Sequence, residues 1–450
     1  MKVNKTKSEI ILGFPVARDF ESNYGAENKN QRGRFYDIDS LNINVRPGRR
    51  IITPALGKEI IKYSGDSHLM TIAPTGSGKG RSVIIPNLLT YEGPVIVVDP
   101  KGENYAVTSR HRKEMGHKVF VLDPFKVMVE KSDSLNPLDI FDLEGSDVET
   151  DAQMLADLIS TDSFGSKEPF WDINARALHS GVFTYLGKHV EKDKRNIRSV
   201  NELLMSDDTI YNNAVLLDTV KDLNRLAYLE ISSFLQLADV TRTGILATAN
   251  SYMKAFIGQK VAEAFENSSF SLQDIVDGKK ITIYIIVPPD KIQSHKAILK
   301  VWIGVLLKVI SMRKVIPEER TLFIIDECGQ LGTFPFLETA ITLLRGYGLQ
   351  TWTFWQDLSQ LKKLYEIEWS TMVNNCAVLQ IFGTNNYRVA SEFADMIGVD
   401  TEQVSSVRSS DQILLINGEE LIKSRRFDYL RDSEFKLQWD PNPFYRNIKV

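Results

Sequence analysis

Residues 68–89, HLMTIAPTGSGKGRSVIIPNLL, predict a short apolar strand, a glycine-rich loop and the start of a helix. A phosphate-binding loop needs this context, because small residues let backbone N–H groups turn inward around anionic oxygens and the helix N-terminus adds a positive dipole. Lys79 is then placed to reach the β- and γ-phosphates of a nucleotide. The candidate nucleotide-binding residues are Thr75, Gly76, Ser77, Gly78, Lys79, Gly80 and Arg81.

The loop departs from the G-x-x-x-x-G-K-[ST] pattern at two positions, with Ala73 in place of the first glycine and Gly80 in place of the hydroxyl residue. Without that hydroxyl the loop lacks its usual Mg²⁺ ligand, so the metal would depend on waters and on distant carboxylates. Taken alone, the segment is also compatible with a glycine-rich turn that binds nothing.

Two carboxylates end the apolar segment TLFIIDE (321–327). Parallel strands place such residues at the carboxyl edge of a sheet, where a phosphate-binding loop also lies. Asp326 is predicted to hold Mg²⁺ through water, and Glu327 to orient and deprotonate the attacking water. The alternative is a strand that merely ends in acids, which the phosphate-binding loop elsewhere in the chain disfavours.

Three further segments carry candidate residues. Gln356 follows the run TWTFW (351–355) and either senses the γ-phosphate or simply bonds a loop. Arg345, just before that run, is either an arginine finger acting across a subunit boundary or a helix-end arginine that satisfies carbonyls or solvent. The charged residues of DPKGE (99–103), after another apolar run, either face the nucleotide or cap the next helix.

Apolar runs alternate with helical patterns through most of the chain. Runs that are apolar on both faces are typical of strands buried in a parallel sheet, so the sequence predicts a doubly wound, mostly parallel α/β core. The predicted strands are 68–73, 94–99, 118–123, 281–287, 321–326, 351–355 and 377–382.

Residues from about 145 to 270 break this alternation, because they show helical spacing with no comparable strand, and they predict an all-α insertion. The final thirty residues are polar and aromatic and predict a tail of mixed character. The predicted organisation is a peripheral N-terminal segment (1–65), the first part of the nucleotide-binding domain (66–144), the all-α domain (145–270), and the second part with the C-terminal tail (271–450).

The composition is that of an ordinary globular protein, with 43% hydrophobic and 25% charged residues among 450. A net charge of −4 excludes a globally basic nucleic-acid coat but leaves room for a local basic patch. Lys362, Lys363 and Arg388 are candidates to face DNA, although a solvated helix face is the simpler interpretation of each. The two cysteines lie in apolar runs and the six histidines lack zinc-ligand spacing, which indicates a reducing, cytosolic compartment and no zinc site.

No stretch approaches the ~18 uncharged apolar residues that span a bilayer. The short apolar run before Pro15 is too brief for the core of a signal peptide. The sequence as written therefore predicts no membrane-spanning segment.

Taken in order, these motifs resemble the VirD4/TraG type IV secretion coupling proteins, the ATPases that hand DNA–relaxase complexes and effector proteins to a conjugation or secretion channel. The similarity covers about residues 65–445, and the ordered set is far more specific than any single motif. Gly80, directly after Lys79, looks like that family's own form of the loop. Under this resemblance, the missing hydroxyl is weaker evidence against nucleotide binding than it is for the loop taken alone. The motifs are APTGSGKG, VIVVDPKGENY, VFVLDPF followed by LNPLD, PFWDINARALHSG, ITIYIIVPPD, LFIIDECGQLG, LRGYGLQTWTFWQDLSQLKKLY and VNNCAVLQIFGTNN.

The resemblance implies a RecA-like P-loop NTPase core with an all-α domain that receives substrate. It also implies a homo-hexameric ring around a DNA-sized channel, with ATP and Mg²⁺ bound between neighbouring subunits. By position in the matched motifs, Lys79 binds phosphate, Asp326 holds Mg²⁺, Glu327 activates water and Gln356 is the sensor, with Arg345 a weaker correspondence. The implied partners are single- or double-stranded DNA, relaxase or effector proteins, and channel components at the cytoplasmic face of the bacterial inner membrane.

Family members typically begin with a pair of transmembrane helices, and nothing of the kind occurs in this sequence. Either the anchor was removed or the chain is a natural anchorless member that a membrane partner recruits. Two other functions fit the same motifs. One is a FtsK/HerA-like DNA translocase, and the other is a nucleotide-binding docking platform with little turnover, which Glu327 argues against and Gly80 weakly favours.

Overall fold

The computed structural model describes residues 8–15, 60–160, 169–384, 386–418 and 420–445. Eleven strands in this part of the chain form a single sheet. The strands are β1 (Ile10–Pro15), β2 (Ile61–Tyr63), β3 (His68–Ile72), β4 (Val95–Val98), β5 (Lys118–Leu122), β6 (Ile281–Ile285), β7 (Thr321–Ile325), β8 (Leu349–Trp355), β9 (Cys376–Phe382), β10 (Asp411–Ile416) and β11 (Glu420–Arg425). Their order across the sheet is β2-β1-β11-β10-β9-β3-β8-β7-β4-β6-β5.

The seven neighbouring strands from β9 to β5 all run parallel. They correspond to the seven apolar runs of the sequence, so the predicted parallel α/β core is confirmed. Every residue of β3, β4, β6, β7 and β8 is buried, which is why these runs are apolar on both faces instead of alternating.

Helices connect the parallel strands and cover the sheet. Within the described ranges, none of them combines the length and the apolar composition that crossing a bilayer requires. The helices of the α/β core are α1 (Ile85–Thr90), α2 (Glu103–Glu114), α11 (Pro289–Ser311), α12 (Pro335–Leu343), α13 (Leu358–Leu364), α14 (Trp369–Asn374), α15 (Tyr387–Ile397) and α16 (Thr401–Ser405). Between β5 and β6 lie α3 (Val148–Ile159), α4 (Pro169–His189), α5 (Ile197–Met205), α6 (Thr209–Thr219), α7 (Arg225–Gln236), α8 (Asp239–Met253), α9 (Gln259–Ala264) and α10 (Leu272–Val276).

The described residues between β5 and β6 contain helices and no strand. This helical segment packs onto α11, where the indole of Trp302 stacks on Phe265 with the ring centroids 4.7 Å apart. The Nε1–H of Trp302 donates to the carbonyl of Leu135 at 3.0 Å, and the helices share one hydrophobic core with a face of the sheet. The boundaries of a separate all-α domain at 145 and 270 remain a prediction, and its residues 161–168 lie outside the described part.

Both ends of the chain extend the sheet on its β9 side. β10 pairs antiparallel with β9 and with β11, and β11 pairs antiparallel with β1. The prediction of a mixed C-terminal tail is therefore wrong for residues 421–425, and that of a peripheral N-terminal segment is wrong for the largely buried β1. The physical reason is that β9 would otherwise expose a row of unpaired backbone groups at the sheet edge.

Candidate nucleotide-binding site

The predicted phosphate-binding loop joins β3 to a single π-helical turn, Gly80–Ile84, which continues into α1. Gly76 and Gly78 have φ angles of +74° and +87°, which L side chains rarely adopt, so the loop requires glycine at both positions. The hydroxyl and the backbone N–H of Ser77 donate to the Pro74 carbonyl at 2.6 Å and 3.2 Å. The result is a tight turn at the start of a helix, the geometry that receives anionic oxygens.

Lys79, Glu327 and Gln356 meet at the carboxyl edge of the sheet, because β8 lies between β3 and β7. The Nζ of Lys79 lies 3.0 Å from Glu327 Oε1, and the Nε2 of Gln356 donates to Glu327 Oε2 at 2.8 Å. Burial by itself would raise the pKa of Glu327, but the Gln356 amide and the Lys79 ammonium lower that pKa below its ordinary value. Glu327 is therefore ionised near neutral pH, as a general base must be.

Glu327 also has an unusual backbone conformation. Its φ of 52° and ψ of 47° lie in the left-handed region, which costs a non-glycine residue roughly 1–2 kcal/mol. Such a conformation persists only where the surrounding structure holds it, and it is commonest at functional sites. A strand that merely ended in acids would have no need of this strain, so the geometry favours the functional interpretation.

Asp326 lies next to this cluster and is partly buried. Burial raises its pKa to about 6, with Lys79 opposing the rise and the Glu327 carboxylate adding to it. The described residues hold no group of three or more His, Cys, Asp or Glu side chains arranged around a metal. Mg²⁺ usually takes only one or two carboxylates together with waters and substrate phosphates, so Asp326 beside a phosphate-binding loop fits that ion.

The contacts of Asp99 favour the capping interpretation for that residue of the DPKGE segment. It is buried, and its carboxylate accepts hydrogen bonds from the Asn104 side-chain amide at 3.1 Å and from the Tyr105 backbone N–H at 2.9 Å. Burial raises the pKa of Asp99 to about 7, with Tyr105 opposing the rise and Asp326 adding to it. Asp99 therefore caps the first turn of α2, while Glu103 in that turn accepts from the Asn442 amide at 3.0 Å.

Arg345 lies outside this cluster. It belongs to the 3₁₀ turn Leu344–Tyr347, which precedes β8 and therefore stands at the opposite edge of the sheet from the loop. Its Nη2 donates to Asp66 Oδ1 at 2.5 Å, and its side chain is 54% exposed. Within one chain, Arg345 takes no part in the arrangement around Lys79.

Two residues that contact the phosphate-binding loop lie in the segment predicted as a tail. Asp428 forms a bidentate ion pair with Arg81, in which Nε lies 2.6 Å from Oδ1. Arg426 donates from Nη1 to the carbonyl of Ser77 at 2.6 Å. The available signal is the Asn-Gly pair at 417–418 between two apolar stretches, a strong hairpin pattern that turns the chain back toward the loop.

A glycine-rich loop follows the central parallel strand β3 and ends in Lys79, which contacts Glu327 just after β7. The amide of Gln356 lies just after β8, the strand between β3 and β7. This arrangement defines a P-loop NTPase. The family described as type IV secretory system conjugative DNA transfer matches residues 37–412, and the chain belongs to that family.

The relatives agree with this assignment and confirm the resemblance to VirD4/TraG proteins. The type IV secretion system-coupling protein VirD4 of Bartonella quintana is 24% identical over 93% of this chain, and the conjugal transfer protein TraG of Agrobacterium fabrum is 29% identical over 67%. The alignments span 72% and 46% of those proteins' own lengths. The plasmid coupling protein TrwB in complex with ADP and Mg²⁺ has the same fold, with a TM-score of 0.61 at 16% identity over 81% of this chain and 85% of that one.

Proposed function

We propose that this chain is an ATP-hydrolysing coupling protein that delivers DNA–relaxase complexes, protein substrates or both to a type IV secretion channel. One observation carries the enzymatic part: Lys79 and Gln356 both contact the carboxylate of Glu327, at 3.0 Å and 2.8 Å, beside the glycine-rich loop. A docking platform without turnover would have no need of a positioned base. Membership of the conjugative DNA transfer family supports the delivery part.

Binding of ATP would compete with Glu327 for Lys79. The β- and γ-phosphates carry more negative charge than one carboxylate, and the N–H groups of the loop add further donors to them. The lysine would therefore move from Glu327 to the phosphates. Glu327 then loses the cation that lowers its pKa, and its basicity increases when substrate is present.

Glu327 would accept the proton of the water that attacks the γ-phosphorus. The amide of Gln356 holds the second oxygen of Glu327 and so fixes the direction of the carboxylate, while its position at the end of β8 suits a γ-phosphate sensor. Mg²⁺, when bound, neutralises charge on the β- and γ-oxygens, and Asp326 would hold it through water. TrwB, which has the same fold, is known in complex with ADP and Mg²⁺, in support of both ligands.

The site would be completed in a homo-hexameric ring at the cytoplasmic face of the bacterial inner membrane. Arg345 is half exposed on the edge of the sheet opposite the loop, a position from which it could reach a neighbouring subunit. DNA would contact α13, which begins two residues after Gln356, and Lys362 and Lys363 lie on that helix. The Nζ of Lys362 lies 4.9 Å from the centre of the Trp369 ring, a cation–π contact that favours this position of its charge.

Arg345→Ala is expected to lower ATP turnover by about three orders of magnitude wherever the ring forms, which is the scale of an arginine finger's contribution. Steady-state turnover measured across protein concentrations checks this. Arg320→Ala is the matched control, because Arg320 pairs with the same Asp66 from Nη2 at 3.1 Å. An equal loss of turnover in dilute, monomeric protein would refute the role in trans.

The proposal is tested by ATP hydrolysis at low and high protein concentration, with and without single- and double-stranded DNA. The Lys79→Ala variant supplies the background rate. Turnover is expected to rise with protein concentration, because ring assembly completes each nucleotide site. It is expected to rise with DNA as well, because DNA is the proposed substrate of the motor. Turnover no higher than that of Lys79→Ala under every condition would contradict the proposed ATPase.

A further inference from the structure

Arg426 lies in the C-terminal part of the chain and contacts the phosphate-binding loop. It directly follows β11, and its guanidinium lies over the ring of Phe382 with Cζ 4.1 Å from the ring centre. One terminal nitrogen, Nη1, donates to the Ser77 carbonyl at 2.6 Å, and the other donates to the carbonyl of Ser409. Both hydrogen-bonded partners are neutral backbone oxygens.

The three basic side chains at the loop differ in how their charges are balanced. Lys79 forms an ion pair with the carboxylate of Glu327, and Arg81 forms one with the carboxylate of Asp428. Arg426 makes no ion pair with any acid in the described residues, and its Nε is buried there without a hydrogen-bond partner. Burial lowers the pKa of Arg426 to about 10, an effect that the more distant carboxylate of Asp411 offsets only in part.

A partly desolvated guanidinium without a counter-ion attracts any anion that comes close to it. The nearest built anion site is the loop itself, since Arg426 holds the Ser77 carbonyl that lies between the two left-handed glycines. That hydrogen bond occupies the Ser77 carbonyl and so helps to fix the backbone of the loop between these two glycines.

We infer that Arg426 is a residue of the nucleotide site, which positions the phosphate-binding loop and supplies uncompensated positive charge to the triphosphate of ATP. This inference rests on the proposed ATP binding and extends it, because it makes the C-terminal hairpin of β10 and β11 a functional part of the site. Arg426 thus acts alongside Lys79, through its contact with the Ser77 carbonyl of the loop.

The test compares Arg426→Gln and Arg426→Lys with the unaltered protein, using titrations with ATP, ADP and AMP. Arg425→Gln is the matched control, because the neighbouring arginine also lies over an aromatic ring, that of Phe14, yet pairs with Asp432. Arg426→Gln is expected to raise the Kd for ATP about tenfold, with a smaller rise for ADP and the smallest for AMP, because Coulomb attraction grows with ligand charge. Arg426→Lys should recover part of the loss.

Salt separates the inferred role from a merely structural one. The difference in Kd for ATP between Arg426→Gln and the unaltered protein should shrink as ionic strength rises, since screening weakens a charge effect. A loss that is the same for ATP, ADP and AMP and insensitive to salt would overturn the electrostatic role. A Kd for ATP equal to that of the unaltered protein would overturn the inference alone, whereas unaltered protein that bound no ATP would overturn the proposed function together with it.

Discussion

Glu327→Gln is expected to reduce ATP turnover by about 10²–10⁴-fold, the range that a general base contributes to catalysis. The glutamine keeps the size of the side chain and can still contact Gln356, but it cannot accept a proton from water at neutral pH. ATP binding should be retained or strengthened, because the substitution removes a negative charge close to the γ-phosphate. Single-turnover hydrolysis and equilibrium ATP binding, measured on the same preparation, check both parts.

The matched control is Glu338→Gln on α12, a carboxylate on the helix that follows the acid-bearing strand but outside the cluster around Lys79. It should hydrolyse ATP like the unaltered protein. If Glu327→Gln turned over ATP at the unaltered rate, the assignment of the base would be wrong. If it lost ATP binding as well, Glu327 would be needed to bind ATP and would not act only as the base.

The parallel half of the sheet could be predicted from local pattern, because strands buried on both faces are continuous apolar runs. The antiparallel part could be predicted only where the Asn-Gly pair at 417–418 marks the turn between β10 and β11. β11 contains Glu420, Lys423 and Arg425 among its apolar residues, so it resembles an exposed segment. Its pairing with β1 joins Phe14 to Arg425, and no local sequence pattern reports a contact between opposite ends of the chain.

The candidate site was predictable as a set of residues but not as an arrangement. The phosphate-binding loop and the acids of TLFIIDE are recognisable because each is a short motif whose chemistry requires particular residue types in a fixed order. The structure brings Lys79 and Glu327 together. Gln356 can donate to Glu327 only because β8 lies between β3 and β7. The order of strands in the sheet sets this contact, and local sequence does not report that order. The same holds for Asp99, whose role in capping α2 depends on which neighbour its carboxylate meets.

Lys79→Ala is expected to weaken ATP binding by at least about a hundredfold, since hydrogen bonds to charged groups contribute roughly 1.5–3 kcal/mol each and the ammonium would serve two phosphates. A second effect acts in the same direction. Without Lys79, the carboxylate of Glu327 keeps only the Gln356 amide and repels the incoming phosphates. Titration of the variant with ATP gives the Kd, and steady-state hydrolysis should fall to background.

The double variant Lys79→Ala/Glu327→Gln separates these two effects. It should bind ATP more tightly than Lys79→Ala alone, because the unpaired carboxylate is gone, and the difference measures the coupling between the two side chains. Lys62→Ala is the control for loss of a lysine, since Lys62 forms an exposed ion pair with Glu9 at 2.7 Å and lies on the edge strand β2, which does not adjoin β3. This variant should bind ATP normally. A Kd for Lys79→Ala within about twofold of the unaltered protein, a difference of under 0.5 kcal/mol, would exclude the loop as the phosphate site.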